Sequence, residues 1–344
     1  MTFEIPTIDI GSFIDDSRSS EQAAIAKKLD TACTEVGFVQ IVGHAIPDEV
    51  IEDLAHGLDE FFALPLGIKK QYRRSPEQNR GYSPPKSESL SMSLGTPSKE
   101  NMNDFYESIV VGTEASDYPE FDLPHSSYAP NAWPVESPRF TTAVQTYFRH
   151  AQSLSRVLLR AFTAALNLEN GYFDDLVHHS IDAFKMNNYA LPDGDTRFET
   201  GATGMGAHTD FGILTILWAD RVPGLQILGP DGRWHDAQPA DGALLLNLGD
   251  AMARWTNDRW MSTVHRVDPP IVDGLIIRRR SAAFFFDGNH DAVIETLPGC
   301  AREGVADYPP ITVAENIAAK VAGLRTGVAP TGATREAARV LAAQ

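Results

Sequence analysis

The sequence contains little of what marks a secreted or membrane-bound protein. Only two cysteines occur among its 344 residues, Cys33 and Cys300, so a disulfide framework is not indicated and a reducing compartment is expected. No apolar run approaches the roughly 20 residues of a membrane span. The stretch from Met1 to Pro6 lacks the basic and apolar regions of a signal peptide. We therefore expect a cytoplasmic protein that does not bind membranes.

Positive charge is also scarce. The chain has 29 Lys and Arg against 46 Asp and Glu, a net charge of −17. Such a surface repels phosphate backbones, which argues against a nucleic-acid partner and favours a small-molecule one. Hydrophobic residues at 43% and charged residues at 22% are ordinary values for a globular protein.

Helical patterns lie mainly in the first half of the chain. Apolar residues recur at helical spacing from Glu21 to Val36, after Pro47, and from Ser137 to Leu166. In the last segment, Ser137 and Pro138 are typical of a helix cap and first turn. Residues 75–104 are polar and show no sustained period, so this stretch is predicted to be either disordered or a functional loop such as a lid.

The second half changes character. From Ile181 to Asp287, short apolar runs alternate with Gly, Pro, Asp and Asn, which predicts a barrel or sandwich of strands. A final helix is predicted from Thr312 to Leu324. The strand candidates are Thr7–Ile10, Phe38–Val42, Phe184–Tyr189, Ile213–Trp218, Leu225–Leu228, Ala243–Leu248, Thr263–Val267 and Ser281–Phe286.

These patterns predict a mainly β protein with flanking α-helices, folded as one catalytic domain over residues 1–344. Within it we expect a mostly helical N-terminal module (1–170), a β core that carries the metal site (181–290), and a C-terminal helix and tail (312–344).

The most informative motif is His208-Thr209-Asp210, which lies in a strand-like run. Side chains alternate faces along a strand, so His208 and Asp210 are predicted to point the same way. His265 lies in another β pattern and is the best candidate for a third ligand. Two histidines and one carboxylate with open coordination positions are typical of non-haem Fe(II) oxygenases.

Zinc is the main competitor, because zinc hydrolases also use two histidines and a carboxylate. Such an enzyme would need an additional Glu as general base, and the sequence has no His-Glu-x-x-His motif. The remaining histidines are expected to be structural or solvated. They are His44, His56, His125, His150, His178, His179, His235 and His290.

An Fe(II) oxygenase commonly takes electrons from a small keto acid, whose distal carboxylate must be held. Arginine suits this task because its planar guanidinium donates two parallel hydrogen bonds. Arg279 and Ser281 are predicted to share a strand face, and a buried Arg279 would need an anion. Arg278 and Arg280 are interpreted as a solvated basic turn. Asn187 and Tyr189 share one face of their strand and could add neutral donors to the same acid.

Several segments resemble the isopenicillin N synthase-like branch of the 2-oxoglutarate/Fe(II)-dependent dioxygenases. They include Val36–His44, Gly206–Asp210, Asn247–Asp250 and His265–Val267. The resemblance implies a double-stranded β-helix (jelly-roll) core. One departure is an interval of extra residues, 269–274, which is expected to lengthen a turn.

The resemblance also implies roles for particular residues. His208, Asp210 and His265 match the iron ligands, and Arg279 and Ser281 match the pair that binds the distal carboxylate of 2-oxoglutarate. Tyr189 and Asn187 match residues that assist on that co-substrate. Lys185, Phe285 and Asp287 lie at positions that line the substrate pocket in some relatives.

The function implied is oxygenation of a small molecule with Fe(II), 2-oxoglutarate and O₂, releasing succinate and CO₂. The outcome would be hydroxylation, or else desaturation or ring closure, with ascorbate as a candidate stimulant. A same-fold Fe(II) oxidase that does not use 2-oxoglutarate and a non-catalytic metal-binding sensor remain alternatives. We expect a monomer or a weak homo-oligomer.

Overall fold

The computed structural model describes residues 3–15, 20–75, 78–88, 90, 94, 104–190, 204–272, 275–301 and 308–326. The α-helices of these ranges are α1 Gly11–Ile14, α2 Ser20–Glu35, α3 Asp48–Phe62, α4 Leu66–Lys69, α5 Pro138–Ala165, α6 Asp174–Val177, α7 Asp250–Trp255 and α8 Val313–Thr326. The strands are β1 Thr7–Asp9, β2 Phe38–Val42, β3 Gly81–Ser83, β4 Glu107–Gly112, β5 Ala183–Tyr189, β6 Met205–His208, β7 Leu214–Ala219, β8 Leu225–Leu228, β9 Trp234–Asp236, β10 Leu244–Leu248, β11 His265–Val267, β12 Ile271–Val272, β13 Leu275–Ile276, β14 Arg279–Phe286, β15 Val293–Ile294 and β16 Ile311–Thr312.

Two sheets form the core. The larger has eight strands in the order β1-β2-β10-β7-β14-β5-β4-β3, and the smaller has four in the order β6-β11-β8-β9. Only β1 and β2 pair in parallel within these two sheets; their other described pairings are antiparallel. Strands of both sheets line one shared cavity. This arrangement confirms the predicted jelly-roll core with flanking helices.

The long helix α5 covers the outer face of the large sheet. Apolar residues repeat along it at helical spacing, so that one stripe is buried while the opposite face stays polar. On this stripe Tyr147 stacks on Phe184 of β5, with ring centres 5.2 Å apart. Helices α2 and α3 pack beside α5.

Because side chains alternate between the two sides of each strand, the large sheet has two chemically different faces. In β14, Ala282 and Phe284 belong to the hydrophobic core under the helices, whereas Arg279, Ser281 and Phe285 line the cavity. Because successive side chains point to opposite faces, one strand both anchors the helices and supplies polar groups to the interior.

The structure corrects several local expectations. Ser137 occupies the N-cap position of α5 as predicted, but its side chain makes no capping hydrogen bond; its hydroxyl donates to Glu60 instead, at 2.6 Å. The strand predicted over Thr263–Val267 begins only at His265. Strand β6 ends at His208, so Asp210 lies beyond the strand rather than within it.

Two predicted loops are also more regular than expected. Residues 81–83, inside the 75–104 stretch, form β3 and pair with β4. The extra residues before Arg279 include β12, which pairs with β13. Part of the 75–104 stretch and the tail after Thr326 lie outside the described residues. Among the described helices, none is long and apolar enough to cross a membrane.

Candidate iron and co-substrate site

Three candidate metal ligands converge between the two sheets. Strands β6 and β11 are antiparallel neighbours in which His208 lies opposite His265, and their ring centres are 4.3 Å apart. The Oδ1 atom of Asp210 lies 4.0 Å from Nε2 of His208 and 3.8 Å from Nε2 of His265. All three residues are buried. The structure therefore brings together the three ligands predicted from sequence.

Backbone carbonyls orient both imidazoles. Nδ1 of His208 lies 2.7 Å from the carbonyl oxygen of Gly206, and Nδ1 of His265 lies 3.0 Å from that of Thr263. A carbonyl can only accept, so each Nδ1 carries the proton and each Nε2 presents its lone pair to the centre of the site. Metal-ligating histidines are commonly held in this way.

Asp210 is oriented by two residues to which sequence reasoning assigned no role. Its Oδ2 accepts hydrogen bonds from the Thr215 hydroxyl and the Asn247 side-chain amide, both at 2.6 Å. Thr215 and Asn247 face each other across β7 and β10. These bonds leave Oδ1 directed at the histidines. The signal that could have found them is a single polar residue inside each of two apolar strands.

The electrostatics of the cluster suit a divalent cation. Burial, and then the neighbouring His265, hold the pKa of His208 well below its ordinary value, which keeps this imidazole neutral. Burial disfavours the charged form of Asp210, but the two imidazoles and two hydrogen bonds outweigh it and lower the pKa. Neutral imidazole and ionised carboxylate are the forms that bind metal.

The predicted keto-acid residues also face one another. In the β14–β5 pairing, Arg279 lies opposite Tyr189 and Ser281 lies opposite Asn187. The guanidinium carbon of Arg279 is 5.3 Å from the centre of the Tyr189 ring. The Asn187 amide donates to the Ser281 hydroxyl at 3.3 Å.

Arg279 has unused hydrogen-bonding capacity. Its side chain is buried, with 2% of the residue exposed. Nε donates to the carbonyl of Val222 at 3.3 Å, but Nη1 has no partner among the residues that the structure describes. The Asn187 carbonyl oxygen is likewise buried and unpartnered. A buried guanidinium left in this state is costly unless an anion binds it, so Arg279 fits the distal carboxylate of 2-oxoglutarate.

The neighbouring arginines behave differently from Arg279. Arg278 and Arg280 both pair with Asp59 of α3, at 2.6 and 2.8 Å, and Arg280 also approaches Asp220. Arg278 precedes β14 and is exposed, as expected from sequence, whereas Arg280 lies within β14 and is half-buried, so it is not part of a solvated turn. Both arginines attach the helical layer to one end of β14.

The cavity containing these groups has a volume of about 140 Å³, far more than the ~10–15 Å³ that one water needs. Lys185, Phe285 and Asp287 all line it. The Lys185 ammonium already has partners, since Glu88 lies at 2.5 Å and the Tyr106 hydroxyl at 3.1 Å. Sequence reasoning did not identify Glu88, whose carboxylate fixes Lys185 in the wall.

Asp287 carries an unfavourable charge when ionised. Burial raises its pKa well above the ordinary value, and the nearby Asp182 and Asp210 carboxylates raise it further, against an opposing effect of Arg80. One carboxyl oxygen also packs tightly on Gly212, in the loop after Asp210. Asp287 therefore links the cavity wall to the loop beside the metal ligands.

Two family models match separate parts of the chain. Residues 5–136 match the N-terminal region described as non-haem dioxygenase in morphine synthesis, and residues 181–288 match the 2OG-Fe(II) oxygenase superfamily. The second match contains every candidate ligand and co-substrate residue.

Similar curated proteins extend over nearly the whole chain. A 2-oxoglutarate-Fe(II) type oxidoreductase, hxnY of Emericella nidulans, is 34% identical over 319 residues, which cover 91% of this chain and 88% of the relative. A homoarginine-6-hydroxylase of Oryza sativa is 29% identical, with 92% of this chain and 96% of the relative covered.

A solved structure shares the architecture. T7H of Neurospora crassa, crystallised with alpha-KG and thymine, superposes with a TM-score of 0.79 at 28% identity. The match covers 92% of this chain and 96% of that one.

Proposed function

The chain belongs to the 2-oxoglutarate- and Fe(II)-dependent dioxygenases, and from that premise we propose that it oxidises a small organic molecule at iron held by His208, Asp210 and His265. One observation carries the ligand assignment. The Nε2 atoms of His208 and His265, each with a free lone pair, lie 4.0 and 3.8 Å from Oδ1 of Asp210. Three ligands on one side leave further coordination positions open.

When bound, Fe(II) and 2-oxoglutarate supply an oxidant from O₂, with release of succinate and CO₂. The residues of the chain bind and orient the participants. Arg279 and Ser281 hold the distal carboxylate, while Tyr189 and Asn187 border it from the neighbouring strand. Burial of all four excludes water and strengthens these contacts.

We assign the remaining cavity wall to the substrate. Phe285 supplies an apolar surface, and Asp287 offers a polar group beside it. Lys185 acts mainly through its pairing with Glu88. The favoured outcome is hydroxylation, with desaturation or ring closure as variants of the same chemistry. A homoarginine hydroxylase and a thymine-bound enzyme among the similar proteins support a small-molecule substrate.

The cellular setting is part of the proposal. Both cysteines are buried and unpaired as thiols, which supports a reducing compartment such as the cytoplasm. The net charge of −17 disfavours nucleic acid as a partner. We propose a single catalytic domain, acting as a monomer or weak homo-oligomer, with ascorbate as a candidate stimulant.

A screen of small molecules tests this function. Purified protein with Fe(II), 2-oxoglutarate and O₂ should consume 2-oxoglutarate faster when the correct substrate is added, and should release one succinate per oxidised product. Asp210→Ala serves as the inactive control. Product without succinate would establish the oxidase alternative, and ligand binding without O₂ consumption would establish the sensor.

A further inference from the structure

A second group of potential metal ligands lies outside the cavity. His179 comes shortly before β5, and His290 and Asp291 follow β14. One side-chain ligand atom from each residue lies within 4.8 Å of the others. His179 Nε2 is 3.0 Å from Asp291 Oδ1, and His290 Nδ1 is 3.7 Å from the same oxygen.

The nitrogen of His290 lacks a hydrogen bond. Its Nδ1 is shielded from solvent and has no partner within the described part of the chain. The 3.7 Å separation from Asp291 is too long for a hydrogen bond. It is close to the ~3.3 Å between ligands of a tetrahedral ion with bonds of about 2.0–2.1 Å. The spacing therefore suits two ligands of one ion better than a direct contact.

His179 provides a buried ligand aimed at the same place. Only 5% of this residue is exposed, and its Nε2 faces the Asp291 carboxylate. The Asp291 side chain is 62% exposed, which leaves one side open for water to complete the coordination.

The backbone around the group is held in place before any metal binds. The His179 amide donates to the Asn289 side chain at 2.7 Å, and the Gly288 amide donates to the Ser180 hydroxyl at 2.9 Å. The Phe121 ring packs on His179, with centres 4.6 Å apart. Binding would thus require little rearrangement of the ligands, which favours affinity.

The surroundings are acidic. The three residues border a cavity of about 620 Å³ whose wall also includes Asp122, Asp175 and Glu295. Carboxylates in the wall of a cavity attract cations to it.

We propose that His179, His290 and Asp291 bind a divalent transition metal, with Zn²⁺ the best-fitting ion, at a second site distinct from the iron site. Two imidazoles and a carboxylate suit Zn²⁺ in a tetrahedral arrangement completed by water. The ion would connect the bend before β5 to the bend after β14. These are the two strands that carry the co-substrate residues, so the metal would stabilise their pairing.

Zinc stoichiometry of the full chain tests this site independently of activity. After metal removal, dialysis against low-micromolar Zn²⁺ and metal analysis should give two Zn²⁺ per wild-type chain, since zinc also fits the iron ligands. Asp210→Ala and His290→Ala should each retain one, and the double variant none. His178→Ala is the matched control, because this adjacent histidine is exposed and its Nδ1 lies against Asp175 and Asn289; it should retain two.

Thermal unfolding provides the second readout. Zn²⁺ should raise the melting temperature of Asp210→Ala, which keeps only the proposed site, and should not raise that of Asp210→Ala combined with Asp291→Asn. Asp291→Asn also replaces His290→Ala if the latter fails to fold. The proposal is overturned if Asp210→Ala binds no Zn²⁺, or if removing His290 or Asp291 from it leaves the bound zinc unchanged. An unchanged count in Asp210→Ala alone would instead contradict the iron-site assignment.

Discussion

At the scale of single residues, the site is defined by which atoms already have partners. The Nδ1 atoms of His208 and His265 and the Oδ2 of Asp210 are held by protein groups. Among the described residues of the site, the atoms left without a partner include the Nε2 of each histidine and, on β14 of the larger sheet, Nη1 of Arg279. The free atoms therefore define a cation site beside an anion site.

Arg279→Gln should raise the KM for 2-oxoglutarate by about 10- to 150-fold, which corresponds to the ~1.5–3 kcal/mol of a hydrogen bond to a charged group. Steady-state kinetics measure the change, with iron content expected to stay normal. Arg278→Gln is the control, because Arg278 pairs with Asp59 outside the cavity. An unchanged KM in Arg279→Gln would remove this residue from the co-substrate site.

Thr215→Val should weaken Fe(II) binding by roughly 10- to 100-fold, as is common when a group that orients a metal ligand is lost. The change deletes the hydroxyl that donates to Asp210 while keeping the shape of the side chain. Anaerobic Fe(II) titration measures the affinity for iron. Thr163→Val removes a buried hydroxyl in α5 and should leave affinity unaltered; equal affinities for both variants would refute the role of Thr215.

The metal ligands and Arg279 could be predicted from the sequence because each lies in a short pattern of alternating residues. Thr215 and Asn247 could not, because their joint contact with Asp210 depends on the register between β7 and β10. The group formed by His179, His290 and Asp291 was missed for a related reason. His179 is 112 residues from Asp291, and it meets His290 and Asp291 only when β5 pairs with β14.

At the scale of secondary-structure elements, alternation in β5 and β14 produces the site. Each strand presents apolar groups to α5 and polar groups to the cavity, and both strands were predicted to within a few residues. The end of β6 at His208 was not predicted from the sequence. The chain leaves the strand at His208, and Asp210 reaches the histidines from the following loop, whose path depends on close backbone packing.

Gly249→Ala tests that packing. A Cβ at Gly249 would lie 2.2 Å from the carbonyl oxygen of Gly212, in the loop after Asp210. Such overpacking should lower the free energy of unfolding by about 1–3 kcal/mol and weaken Fe(II) binding. Urea unfolding measures the loss. Gly67→Ala is the control, since no atom lies within 4 Å of a Cβ there; a wild-type stability for Gly249→Ala would contradict the described contact.

At the scale of the whole molecule, the jelly roll encloses a group of carboxylates that oppose one another when no metal is bound. Asp287 shows this most clearly, because burial and the charges of Asp182 and Asp210 raise its pKa well above the ordinary value. A group whose pKa is raised on folding favours the folded state at low pH. That contribution is lost as the pH rises through the folded-state pKa.

Asp287→Asn should therefore be more stable than the metal-free wild type at high pH. The gap should shrink as the pH falls toward the ordinary aspartate range, changing by at most about 1.4 kcal/mol per pH unit. Urea unfolding with a chelator, at several pH values, measures it. Asp15→Asn, at an exposed position, should show no comparable gap, and a gap for Asp287→Asn that does not vary with pH would contradict the prediction.

The central claim is that one chain brings an iron site and a 2-oxoglutarate site together in the same cavity. Anaerobic titration of the Fe(II)-loaded protein with 2-oxoglutarate, followed by the absorbance of the iron–keto-acid complex, tests it most directly. We predict saturation at one 2-oxoglutarate per wild-type chain, a much weaker titration for Arg279→Gln, and no band for Asp210→Ala. A band of wild-type strength in Asp210→Ala would contradict the account.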